Sequence, residues 1–193
     1  MPTAYAAFLR GISPTNASMP VLRQALEDAG FTDARTVLAS GNASFVTRLA
    51  SEASVQKKVD AALREGLGRD VLTILRTIDH LRSLLDADPF ARFELAPGEK
   101  RVVTFLADDP PRDLHLPAVL QGARIHAVQG RDALTSYVRQ PGQPFFMTLI
   151  ERTFGKDVTT RTWETVQKVV ASQSDDAAPA RTARVARRPG RGS

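Results

Sequence analysis

The sequence predicts an α+β protein built from two tandem ferredoxin-like (α/β plait) subdomains, each an antiparallel sheet with helices on one face. Two observations lead there. The apolar patterning runs strand, helix, strand, strand, helix, strand, the order of the split βαβ plait. The second half of the chain then runs through the same order again, and LGRDVLT at Leu67–Thr73 and FGKDVTT at Phe154–Thr160 fall at equivalent points of the two rounds.

In the first round, TAYAAFLR reads as a strand. Met19, Leu22, Leu26 and Ala29 share one face of a helix that Ser18 caps and Gly30 stops. ARTVLAS and NASFVT are short strands joined around Ser40-Gly41-Asn42, a turn-forming tripeptide. Val55, Val59, Leu63 and Leu67 mark the second helix, and DVLTILR is a nearly continuous apolar strand suited to a sheet interior. A linking helix from about Asp79 ends at Pro89.

The second round assigns RVVTFLA to a strand, DLHLPAVL to a poor short helix, and ARIHAVQ and ALTSYVR to a hairpin around Gly130-Arg131-Asp132. PFFMTLIERTFG reads as a helix, DVTTR as a strand and TWETVQKVV as a closing helix. The expected units are 1–88, the first subdomain with its linking helix, and 99–173, the second with its C-terminal helix. The Pro- and Gly-bearing stretch DPFARFELAPGEK separates them.

Residues 174–193 read as a disordered basic tail, because Ala, Pro, Gly, Ser and Arg offer almost nothing to bury. The tail holds five arginines against two aspartates, so it takes +3 of the net +5 and leaves the rest near neutral at +2. Nucleic acid is therefore a partner only through the tail, by counterion release. No apolar run is long enough for a membrane span, and nothing at the N-terminus has the form of a signal peptide. With no cysteine in 193 residues, thiolate metal sites and cysteine nucleophiles are excluded, and a reducing cytoplasm is the expected compartment. His80, His115 and His126 stand apart from other ligands at metal spacing, so the sequence implies no metal and no cofactor.

In a plait, the end of the first strand and the hairpin between the second and third share one sheet edge. That brings the loop after Arg10 towards Ser40-Gly41-Asn42. Backbone amides freed by Gly11, the start of a helix, and the Arg10 fork are groups that take phosphate or carboxylate. The expected ligand-binding set is Arg10, Gly11, Ser13, Asn16, Ser40, Gly41, Asn42 and Arg161, and the expected ligand an anionic small molecule or nucleotide. The bland alternative gives Gly11 and Asn42 turn dihedrals and Arg10 a surface carboxylate. A transferase- or hydrolase-like site using Arg10 and Arg161 is the enzymatic alternative. Tyr5 and Phe8 point to opposite faces of the first strand, which argues against the aromatic platform of an RNA-recognition plait.

Three segments carry a family resemblance: LRGI at Leu9–Ile12, SGN at Ser40–Asn42 and TTRTWETVQKV at Thr159–Val169. With them the chain resembles the uncharacterised bacterial family called domain of unknown function 1697. The resemblance implies two plait-like subdomains and no established activity. The chain departs from the family in having the short SPTNAS loop after LRGI, and Gln143-Pro144 where many members open a helix with Ser-Lys. Trp163 shares a helical face with Val166, Val169 and Val170, a core pattern, which leaves Arg161 as the functional candidate of the third segment.

Overall fold

The structure, a computed structural model, describes residues 1–174; the predicted tail otherwise lies outside the described residues. The chain is an α+β protein with two antiparallel sheets and, among the described residues, five α-helices. The first sheet has the order β2-β3-β1-β4, from β1 (Thr3–Leu9), β2 (Thr32–Thr36), β3 (Asn42–Thr47) and β4 (Thr73–Thr77). The second has the order β6-β7-β8-β5-β9, from β5 (Lys100–Leu106), β6 (Ala118–Leu120), β7 (Ala123–Gln129), β8 (Asp132–Tyr137) and β9 (Val158–Thr162).

Strand β1 is central, with Ala7 facing Ala43 of β3 and Leu75 of β4. Its alternate side chains enter two different cores. Tyr5, Ala7 and Leu9 meet Leu22 and Leu26 of α1 (Met19–Asp28) and Val55, Val59 and Leu63 of α2 (Glu52–Leu67). Ala6 and Phe8 point the other way, towards α3 (Ile78–Ala87) and α5 (Trp163–Ala171). Burial on both faces is why the strand reads as an unbroken apolar run. It also corrects the expectation of helices on one face. Helices α1 and α2 cover one side of the first sheet, while α3 and α5 fill a shared core between the two sheets. There Phe8 stacks on Phe105 at 4.3 Å between ring centroids, and Trp163 meets Phe90 edge-on. Helix α4 (Phe145–Phe154) covers the far side of the second sheet through Leu149 and Ile150.

Local chemistry sets the helix ends. Ser51, Thr77 and Thr162 cap α2, α3 and α5, each side-chain oxygen accepting an amide N–H three residues on. Gly66 lets α1 lie close on α2, since a Cβ there would sit 2.5 Å from the Ala25 Cβ.

The second half departs from expectation after β5. DLHLPAVL forms no helix. Pro117 within the stretch, with Pro110 and Pro111 just before it, removes a donor and fixes φ, so the chain instead lays down edge strand β6. A two-residue turn with positive φ at Gln121 (45°) and Gly122 (80°) returns it into β7, which makes the sheet five-stranded. Leu67 ends α2 and Phe154 ends α4, and each is followed by a glycine of positive φ; a strand then begins at Thr73 in the first case and at Val158 in the second. Among the described residues, no helix is long and apolar enough to cross a membrane.

Candidate functional site: a loop-edge joint and a cleft at the seam

The predicted loop-edge residues fall into three groups. Asn16 closes the first loop on itself, its Oδ1 accepting from the Ser13 N–H at 2.9 Å and its Nδ2 donating to the Gly11 carbonyl at 2.8 Å. The second loop is the immediate neighbour of the first. A Cβ at Gly41 (φ 72°) would stand 2.6 Å from the Ile12 Cβ, so only glycine fits there. Asn42 is fully buried and donates to the Val37 carbonyl and the Ser40 hydroxyl, both at 3.0 Å.

Arg161 joins Ser40, Gly41 and Asn42 to the end of β1. Its Nε donates to Asn42 Oδ1, and its Nη2 to the carbonyls of Leu9 (2.7 Å), Gly41 (3.2 Å) and Ser40 (3.3 Å). Nη1 donates to Thr159 Oγ1 and the Thr160 carbonyl, both at 2.8 Å. All three segments behind the family resemblance thus meet at one guanidinium. Burial lowers its pKa to about 10, and among the described residues it has no carboxylate partner. Arg10 does not join this group. It reaches into the second half, donating to the carbonyls of Lys156 and Val158 and pairing with Glu151. Both guanidinium groups are engaged by protein acceptors across the seam between the halves.

A cavity of about 600 Å³ lies elsewhere on that seam. Its floor is the free edge of β4, its walls are Glu52, Ala53, Gln56, Asp60 and Arg64 of α2, and Ala107 and Arg131 close it from the second half. The edge is protected. Gln56 donates to the outward carbonyl of Thr73 (3.0 Å) and Arg76 to that of Leu75 (2.7 Å), so side chains take the place of a neighbouring strand. Most charges on the walls are paired within the protein: Arg64 with Asp70 (2.5 Å), Arg131 with Glu52 (2.6 Å) and Arg76 with Asp132 (2.8 Å). Asp60 forms no ion pair among the described residues and takes only the Gln56 amide at 2.9 Å. Burial raises its pKa, against the opposing pull of Gln56 and Arg64. No motif announces these residues; they come from one helix, one strand and the β7–β8 turn. Asp132 was legible only as a turn residue.

A second polar cluster sits on the other sheet. His126 Nε2 lies 2.7 Å from Ser136 Oγ, which donates to Glu99, and the ring stacks on Phe93 at 4.5 Å. Burial, then Arg124, lowers the His126 pKa despite Glu99. Glu99 is also lowered: burial pushes it up, but Ser136, the Ala96 N–H, Arg124 and His126 together outweigh that. Both groups bind protons more tightly when unfolded, so both contribute stability that is lost as pH falls. The His126 share is complete above the ordinary imidazole value of 6.5 and disappears as pH drops through the lowered one; the Glu99 share follows below 4.5. The melting temperature is expected to fall in these two stages, and His126→Gln should flatten the first. An unchanged profile in that variant would exclude the assignment.

A family profile described as protein of unknown function, DUF1697, matches residues 2–126. The chain belongs to that family. The matched region contains LRGI and SGN, whereas the segment around Arg161 lies beyond it. No curated protein matches the chain. Among solved structures it is similar to the conserved bacterial protein SP0830 from Streptococcus pneumoniae, with a TM-score of 0.63 at 18% identity over 89% of this chain and 98% of that one. At that identity the likeness concerns the fold. Neither comparison names an activity, so this DUF1697 protein is one of unknown function.

Proposed function

We propose that this DUF1697 protein binds a small organic molecule in the seam cleft. The observation that carries the reading is a cavity of about 600 Å³ with apolar walls of Val71, Leu72, Ile74 and Leu75, whose arginines are neutralised and whose one unpaired carboxylate is Asp60. A pocket of that size with few convergent polar groups has the character of small-molecule sites. Asp60 suits an amine or another hydrogen-bond donor on the ligand.

Mass spectrometry of molecules released on denaturing the purified protein tests this. The wild type should release a bound compound, and Ala53→Trp, which fills the cleft from an exposed position, should release none at an unchanged melting temperature. Equal release from both, or none from the wild type, would sink the proposal. A second reading, an anion at the loop edge, is favoured by Arg161 having no carboxylate partner among the described residues. Loss of the compound in Arg161→Ala but not in Ala53→Trp would select it.

Within this reading the two halves are ferredoxin-like units of one duplicated plan, which the 2-3-1-4 strand order of the first sheet and its counterpart 7-8-5-9 in the second support. The cysteine-free composition supports a cytoplasmic setting. Nucleic acid remains a partner to be sought through the arginines of the tail.

A further inference from the structure

Beside the cleft, and sharing Glu52, Arg76 and Arg131 with it, lies a second cavity of about 260 Å³ that also touches Thr77, His80, Gly130 and Asp132. We propose that His80 and Asp132 form a proton-transfer pair serving the cleft, and that the pair activates water against a neutral carboxylic ester. The proposal rests on the cleft reading and deepens it.

The geometry is that of a histidine oriented by a buried acid. Asp132 is 1% exposed, and its two oxygens are divided between two donors. Oδ1 takes the Arg76 Nε–H at 2.8 Å, and Oδ2 lies 2.5 Å from His80 Nε2. A carboxylate held by a guanidinium accepts, so the imidazole donates from Nε2 and keeps its lone pair on Nδ1. The capped helix end fixes the backbone that carries the ring: His80 is in the first turn of α3, and its N–H is bonded to the Thr77 cap. Its side chain is half exposed, at 49%, whereas Asp132 is sealed. An acid out of water and a base within reach of it is the arrangement that general-base catalysis uses.

The surroundings narrow the substrate. The charged groups about the second cavity are Glu52 and Arg131, which pair with each other, and Arg76 and Asp132, which do the same; on the histidine's own helix Asp79 is paired with Arg82 at 2.7 Å. No excess positive charge is left to hold a phosphate, which favours a neutral substrate whose apolar part lies against Leu72, Ile74 and Leu75. His80 Nδ1 takes a proton from water as the water oxygen bonds to the carbonyl carbon. The carbonyl electron pair moves to its oxygen, on the side of the Arg131 guanidinium. When that pair returns, the bond to the alcohol oxygen breaks and the alkoxide takes the proton from His80. A carboxylic acid and an alcohol leave.

The full chain is tested with p-nitrophenyl acetate, butyrate and hexanoate. Wild-type hydrolysis should exceed that of His80→Gln by roughly 100-fold, the scale of general-base catalysis. His115→Gln, at an exposed site away from both cavities, should match the wild type. Asp132 is a positioning residue, so its readout is the ¹⁵N spectrum of the His80 ring, protonated at Nε2 in the wild type and not confined to that tautomer in Asp132→Asn. Hydrolysis by His80→Gln at the wild-type rate, or a wild-type ring protonated at Nδ1, would overturn the pair. p-Nitrophenyl hexanoate that binds the wild type but not Ala53→Trp, without turnover, would overturn the pair and leave the cleft reading standing. Turnover that depends on His80 but ignores Ala53→Trp would keep the pair and reject the cleft. No binding and no turnover would reject both.

Discussion

Replacing Asp132 with alanine is expected to cost about 3–5 kcal/mol of folding stability, the range for removing one partner of a buried ion pair. Asp132 and Arg76 have side-chain exposures of 2% and 7%. Without the carboxylate, Arg76 keeps its bonds to the Leu106 and Arg131 carbonyls but loses its only counter-charge in the interior. Because those bonds cross from β4 to the second sheet, the loss falls on the seam. Against a typical total of about 5–15 kcal/mol it would leave the chain marginal. Urea unfolding of Asp132→Ala, of Arg76→Ala and of Arg76→Leu/Asp132→Leu separates the terms. The double variant should recover much of the loss, since apolar replacement of a buried pair is often neutral or better. A single variant within about 1 kcal/mol of wild type, the scale of a surface pair, would show that water reaches the site.

The seam also explains what could be read from the sequence and what could not. Strands β1 and β3, inside the first sheet, and β4, at its edge but covered by neighbouring elements, were legible because burial on both faces leaves apolar runs. The assignment of ARTVLAS to the second strand ran late along the chain. Its apolar Val37 and Leu38 suggested a strand, yet Leu38 is 47% exposed with φ 60°, and the paired residues are Thr32–Thr36 at the sheet's edge. β6 was missed for a related reason: three residues after a proline carry too little pattern to distinguish them from a failing helix. Among candidate residues, plait topology placed the Ile12 and Gly41 loops together, and the structure brings Arg161 to the same place. The destination of Arg10 was not legible, because its acceptors lie more than 140 residues away and two of them are backbone carbonyls. The cleft left no trace at all. Its walls depend on how two sheets meet, a tertiary fact with no local spacing.

Arg161→Ala is expected to lower stability by about 2–4 kcal/mol, the balance of two opposed effects. The guanidinium satisfies Asn42 Oδ1 and the Leu9 and Gly41 carbonyls, and charged hydrogen bonds are worth about 1.5–3 kcal/mol each. Against this, the charge is held with no carboxylate partner among the described residues, so its removal recovers part of a desolvation cost. At neutral pH that cost is fully in force. Burial lowers the group to about 10, so the folded state would regain stability only as pH rises through that value towards the ordinary guanidinium range. Bonding outweighs desolvation here because the acceptors belong to three separate segments, and alanine leaves them facing one another with only water between. Arg161→Lys should recover less than half of the loss: an ammonium keeps the charge but has three donors where the planar fork has five. Hydrogen exchange localises the effect. The Leu9 amide, bonded to the Gly41 carbonyl at 2.8 Å, should lose protection in both variants, while amides of the α1–α2 face keep theirs. Uniform loss of protection would mean that Arg161 supports the whole fold. Unchanged protection at Leu9, with stability intact, would free Arg161 from a joining role and return it to the anion-binding reading of the loop edge.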